Sequence, residues 1–212
     1  EQGCCHYHAY RNGGRGRSGG RGGRNIQTFD PSRFINTNPA DTAPEGYVPK
    51  HTFAEFSLNQ KLVGTVASLG MTTPTPIQDQ IIPEILNGRD VIGLAETGTG
   101  KTAAFLLPLI ERSLKDHDRQ TLILAPTREL AVQIQEELRN LSRGFRIFSV
   151  TCVGGVNIRP QINAIRRTNH FVIGTPGRIL DLMKRKAFDP SRVTTVVLDE
   201  ADRMLDTGFI HD

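Results

Sequence analysis

Five short apolar runs recur along the chain, at residues 91–94, 121–124, 147–153, 171–173 and 193–198, and a stretch with helical signals separates each from the next. Strands joined by helices need crossover connections, and such connections build a parallel sheet covered on both faces. The pattern excludes an all-β sandwich and a helical bundle, and it predicts an α/β fold whose ligands lie at the carboxyl ends of the strands. Two further helices precede the first run. Ser57 with Gln60 has the spacing of a capping box, and Gly70 ends that helix; Thr75-Pro76-Ile77-Gln78 repeats the pattern with proline at the first helical position, and Gly88 ends the second. Helices are expected at 101–114, from Thr127 to Gly144, at 158–166 and at 177–186.

The chain of 212 residues carries a net charge of +4. Residues 1–24 account for all of it, with five arginines, one acid and eight glycines. This segment has no Val, Ile, Leu, Met or Phe, so it cannot bury enough surface to offset its ordering entropy and is expected to be a disordered tail. Its Arg-Gly spacing is similar to segments that bind RNA without sequence preference. Residues 25–50, with four prolines, read as an extended linker. Because the rest of the chain is charge-balanced, nucleic-acid binding by the folded part requires a local site. Cys4, Cys5, His6 and His8 lack the spacing of metal ligands, Cys152 closes an apolar run as a buried thiol, and three cysteines fit a reducing, cytoplasmic location with the nucleus left open. No run reaches the 18 or so apolar residues of a membrane span. The chain begins at Glu1 and reads as a fragment or a processed product.

Ala95-Glu96-Thr97-Gly98-Thr99-Gly100-Lys101-Thr102 follows the first apolar run and opens a helix, the context of a phosphate-binding loop. Gly98 and Gly100 let the backbone curl so that N–H groups converge on phosphate, and the helix N-terminus adds its positive end. Lys101 is placed for the β and γ phosphates, and Thr102 for Mg²⁺. Ala95 departs from the usual glycine at the first position. Leu198-Asp199-Glu200-Ala201-Asp202 follows the last run, so Asp199 is placed for Mg²⁺ and Glu200 to orient or deprotonate water.

Together these residues resemble the DEAD-box ATP-dependent RNA helicases, over a stretch from Phe53 to Phe209. Residues 70–78, with Phe53 upstream, are similar to the family's Q motif; residues 126–130 to motif Ia; Gly154-Gly155 to its glycine doublet; residues 175–178 to motif Ib; and residues 203–209 to the segment after the acidic tetrapeptide. The resemblance implies a RecA-like domain that binds ATP and Mg²⁺. Phe53 would stack on the base and Gln78 would pair with adenine, while Thr97 to Thr102 would hold the phosphates. It implies RNA backbone contacts from Thr127, Arg128, Gly155, Thr175 and Arg178, and coupling to a second RecA-like domain through Asp202. Gln78 can equally be a helix cap, and Arg128 and Arg178 lie near helix starts, where a cation is locally unfavourable. The chain ends before the family's Ser-Ala-Thr motif, so the domain is expected to be nearly inactive alone and to unwind RNA only when joined to its second domain; a monomer is expected. Two alternatives stay open: another P-loop ATPase, such as a DNA helicase, and a non-catalytic RNA- or nucleotide-binding fragment.

Overall fold

Parity along the strands decides which side chains meet which helices. In a computed structural model that describes residues 47–96 and 98–206, four parallel strands, β1 (Gln120–Leu124), β2 (Ser149–Cys152), β3 (Phe171–Gly174) and β4 (Val193–Leu198), lie in the order β2-β3-β1-β4. Leu122 pairs with Val172 and Val196, and Val150 also pairs with Val172, so these positions share one row across the sheet. Successive side chains alternate between faces. Ile123, Phe171 and Ile173 therefore join a core with helices α1 (Gln60–Ser68), α2 (Pro76–Leu86), α3 (Lys101–Lys115) and α4 (Arg128–Leu141). Leu122, Val150, Cys152 and Val172 join a second core with α5 (Ile158–Ile165) and α6 (Pro176–Lys184).

Helical spacing does the same work from the other side. α4 buries Ala131, Ile134, Leu138 and Leu141, three to four residues apart on one stripe, and leaves its other faces polar. Thr127 caps it by accepting from the Leu130 N–H at 3.2 Å. Truncating fully buried Leu138 to alanine would cost about 2–5 kcal/mol.

Two expectations are corrected. α1 begins at Gln60, and its cap is Asn59, whose Oδ1 accepts from the Lys61 N–H at 2.9 Å, rather than Ser57. Ser57 has φ +56° and lies between the turn at 53–56 and the helix. The carboxylate that meets the cap's own N–H comes from α3, as Glu111 Oε2 at 2.7 Å from Asn59 N, so a tertiary partner displaces the local one. The run at 91–94 is not a strand and has no ladder partner among the described residues. It passes against α2 with Gly93 over Ile77 and Ile81, while Ile92 and Leu94 stay 79% and 77% exposed. Among the described residues β4 likewise has a strand neighbour on one side, β1, and none on the other, and its Val196 and Leu198 are 56% and 55% exposed.

The last residues of the expected linker are fastened to the domain. Buried Asp79 on α2 accepts from the Tyr47 hydroxyl, from Lys50 N at 2.8 Å and from His51 N at 3.2 Å, and its Oδ1 lies 2.7 Å from His51 Nδ1. Burial alone would push this carboxyl up, but these donors together hold it below the usual aspartate range. The expected tail and the rest of the linker lie outside the described residues. Among the described residues, no helix is long and apolar enough to cross a membrane.

Candidate nucleotide and nucleic-acid site

The turn between residue 94 and α3 is shaped by glycine. Gly98 and Gly100 have φ +83° and +84°, which L side chains adopt only under strain. Gly100 is the N-cap of α3, so the helix opens with its N–H groups uncovered by any capping side chain. Thr99 Oγ1 closes the turn on the Glu96 carbonyl at 2.7 Å. The Lys101 ammonium folds back and donates to the Ala95 carbonyl at 2.7 Å, a bond it can exchange for a stronger one to phosphate. Thr97 lies outside the described residues.

Gln78 is tied to this loop. Its Oε1 accepts from Thr75 N at 3.0 Å, one half of a capping box whose other half is not made, since the buried Thr75 Oγ1 has no hydrogen-bond partner, and its Nε2 donates to the Gly100 carbonyl at 3.2 Å. Gln78 therefore caps the first N–H of this segment, and the same carboxamide fixes the end of the turn at Gly100. Phe53, expected to stack on the base, is 4% exposed, belongs to the core and meets Phe56 edge-on with centroids 6.0 Å apart.

β4 delivers the acidic pair. Its last residue is followed by Asp199, whose N–H donates to the Leu124 carbonyl at 3.0 Å and extends the ladder by one step. Burial raises the Asp199 carboxyl, Lys101 opposes that shift and Glu200 adds to it. Glu200 has φ +51°, a left-handed conformation that costs a non-glycine residue on the order of 1–2 kcal/mol. Its Oε2 lies 3.2 Å from Arg203 Nη1 in α7 (Ala201–Asp206). Asp202 is exposed in the first turn of that helix. A residue the sequence reading missed stands nearby: Glu137 of α4, whose carboxyl is raised by burial and by Asp199 and lowered by the Thr102 hydroxyl. Its only sequence signal is a polar residue on the inward side of an otherwise amphipathic helix.

Asp199 suits a divalent cation, since it is a half-buried carboxylate whose desolvation is only partly offset by Lys101. Among the described residues no group of three or more His, Cys, Asp or Glu could hold a metal. One carboxylate and one hydroxyl, Thr102, match the sparse protein coordination of Mg²⁺, which keeps water and phosphate oxygens in its shell.

The motifs expected to meet RNA converge on the loop after β2. Arg128 Nη1 donates to the Gly154 carbonyl at 3.2 Å, and Arg178 Nη2 donates to the Val156 carbonyl at 3.2 Å. The two guanidiniums thus brace the glycine doublet from either side. Gly155 has φ +73°, and a Cβ there would collide with the Arg128 guanidinium. Arg178 Nη1 is a buried donor with no hydrogen-bond partner. Thr175 is the N-cap of α6, yet its hydroxyl makes no capping bond. The Thr127 hydroxyl is used in its cap. Residues 207–209 lie outside the described residues.

Comparison with known proteins agrees with this geometry. Residues 75–212 match the family described as DEAD/DEAH box helicase. The chain is 48% identical over 162 residues to the DEAD-box ATP-dependent RNA helicase CshA of Bacillus cereus, a match that covers 76% of this chain and 31% of that protein, and CshA of Bacillus thuringiensis matches to the same extent. The chain therefore spans about a third of the length of these relatives. Among solved structures, a DEAD box protein from the hyperthermophile Methanococcus jannaschii superposes with a TM-score of 0.72 at 39% identity, over 76% of this chain and 44% of that one. A hypothetical ATP-dependent RNA helicase from Sulfolobus tokodaii superposes with a TM-score of 0.68 at 35% identity, over 73% and 45%. With its phosphate loop, its acidic pair after β4 and its parallel RecA-like sheet, the chain belongs to the DEAD-box helicase family.

Proposed function

We propose that the chain is the ATP-binding and ATP-hydrolysing half of an ATP-dependent RNA helicase. The observation that carries this reading is the joining of Gln78, Gly100 and Lys101 in one turn, with the Asp199–Glu200 pair near Lys101. Lys101 leaves the Ala95 carbonyl for the β and γ phosphates, and the open N-terminus of α3 adds main-chain donors. Gln78 selects adenine by turning its carboxamide from Thr75 and Gly100 toward the base. Asp199 and Thr102 would hold Mg²⁺, which when bound supplies positive charge against the phosphates. Glu200, held out of the ordinary backbone region, orients the attacking water and takes its proton.

RNA lies across the braced loop. The free donor of Arg178, the Thr175 hydroxyl and the backbone around Gly155 meet phosphate and ribose rather than base edges, so contact is independent of sequence. The 48% identity to proteins named as RNA helicases supports RNA over DNA as the substrate class. A second RecA-like domain, coupled through Asp202, completes the machine that remodels duplexes, and the Arg-Gly tail adds salt-sensitive affinity for RNA. The test is ATP binding by calorimetry with Lys101→Ala, together with ATPase activity with and without RNA for a chain carrying both domains. A loss of at least about tenfold in ATP affinity and stimulation by RNA are expected. Unchanged binding would remove the chain from the phosphate-loop ATPases.

A further inference from the structure

At the opposite margin of the sheet from the acidic pair, β2 is an edge strand. The Phe148 carbonyl accepts from His170 N at 2.8 Å and the Cys152 carbonyl from Thr175 N at 3.1 Å, so even-numbered residues of β2 face β3. By the alternation of a parallel ladder, the N–H and C=O groups of Ser149 and Thr151 face outward. They open into a groove between α4 and α5 of about 320 Å³, floored by Ser149, Val150 and Thr151 and walled by Gln135 and Gln161. It runs on into a second hollow of about 360 Å³ at the Ser149 end, beside half-exposed Phe148.

Three properties of the groove describe its occupant. Its lining holds Arg139 and Arg167 and no acidic residue. Both arginines are exposed, and neither makes an ion pair among the described residues. Gln161 is 8% exposed; its Nε2 donates to the Val153 carbonyl at 3.1 Å, but its buried Oε1 has no partner. A buried acceptor without a donor is costly and calls for an N–H. The edge is also stiff, because Gln135 holds Ser149 Oγ at 2.8 Å and Thr151 Oγ1 at 3.1 Å.

We propose that this groove docks an extended, acidic peptide segment of a partner protein by strand addition to β2. The segment's main chain pairs with Ser149 and Thr151, one of its N–H groups satisfies Gln161 Oε1, and its carboxylates meet Arg139 and Arg167 at the Ser149 end. A peptide main chain supplies the alternating N–H and C=O rhythm that an edge strand requires, whereas a sugar-phosphate backbone repeats acceptors without that register.

The probe is the fluorescein-labelled peptide Asp-Glu-Val-Thr-Val-Thr, followed by anisotropy against the whole chain. Saturable binding is expected, weakened about tenfold or more in Arg139→Glu/Arg167→Glu, whose two sites are exposed, with circular dichroism confirming the fold. N-methylation of alternate peptide nitrogens, which leaves the protein untouched, should weaken it comparably, and a Lys-Arg-Val-Thr-Val-Thr peptide should bind less. Absence of saturation up to roughly 1 mM, or insensitivity to both the charge reversal and the N-methylation, overturns the proposal. Displacement of the peptide by oligouridylate in a manner that depends on Arg139 and Arg167 would also overturn it, and would assign the groove to nucleic acid.

Discussion

The carboxamide of Gln78 spans two elements, accepting from Thr75 N at 3.0 Å and donating to the Gly100 carbonyl at 3.2 Å. A single side chain thus finishes one helix and fixes the turn that starts another. Gln78→Ala should lose about 1 kcal/mol of stability from the cap and roughly 1–3 kcal/mol of discrimination between ATP and GTP. Thermal unfolding and competition binding with the two nucleotides separate the effects. Equal loss for both nucleotides would reduce Gln78 to a cap.

Glu200, proposed above to activate the water, has a left-handed backbone, φ +51°. Glu200→Gln should leave ATP affinity nearly intact and suppress turnover by about 100-fold in a two-domain chain. Glu200→Gly should also abolish turnover, yet it should raise the unfolding temperature, because glycine adopts this conformation freely and relieves up to about 1 kcal/mol. A fall in stability for Glu200→Gly would mean that the Arg203 contact outweighs the strain.

Gly155 has no room for a side chain beneath the Arg128 guanidinium. Gly155→Ala should displace Arg128 from the Gly154 carbonyl and weaken RNA binding about tenfold or more, while ATP binding, on the other loops, stays within about twofold. Filter binding and calorimetry on the same preparation decide it.

His170 is buried, and its Nδ1 accepts from the Phe148 N–H at 3.0 Å, so the ring must be neutral to make that bond. Burial and the neighbouring His117 push its folded-state value below the ordinary one near 6.5. The unfolded chain then binds more protons at mildly acidic pH, so this contribution is complete above about pH 6.5 and is lost as pH falls through and below that value. The unfolding temperature should be lower at pH 5.5 than at pH 7.5, and His170→Asn should flatten that dependence. An unchanged slope in the variant would place the titrating group elsewhere.

Much of this was legible in the sequence. The Gln78 contact to Thr75 N, the strands at 121–124 and 171–173, and the glycine turn before Lys101 all depend on local pattern, and local pattern is what periodicity and capping rules read. What escaped depends on contacts far apart in the chain. Glu111 meets the cap of α1 from 52 residues away, and Asp79 draws in Tyr47, 32 residues before it. Phe53 is an aromatic residue whether it stacks on a base or fills a core, and only packing distinguishes the two. The run at 91–94 has strand composition, but a strand is defined by its partner, and composition names none.

The unpaired flank of β4 has a consequence for how the chain behaves in solution. With main-chain groups that have no ladder partner among the described residues on this side, and with exposed apolar side chains at Val196 and Leu198, this edge is a template for pairing between molecules. Mutual repulsion gives the rest of the chain little protection, because residues 25–212 carry 21 basic and 21 acidic side chains. The only surplus charge is the arginine tail's, and its reach shrinks to about 8 Å at physiological salt. Colloidal stability is therefore governed by a segment outside the domain, and added salt should drive molecules together along β4 by silencing that segment.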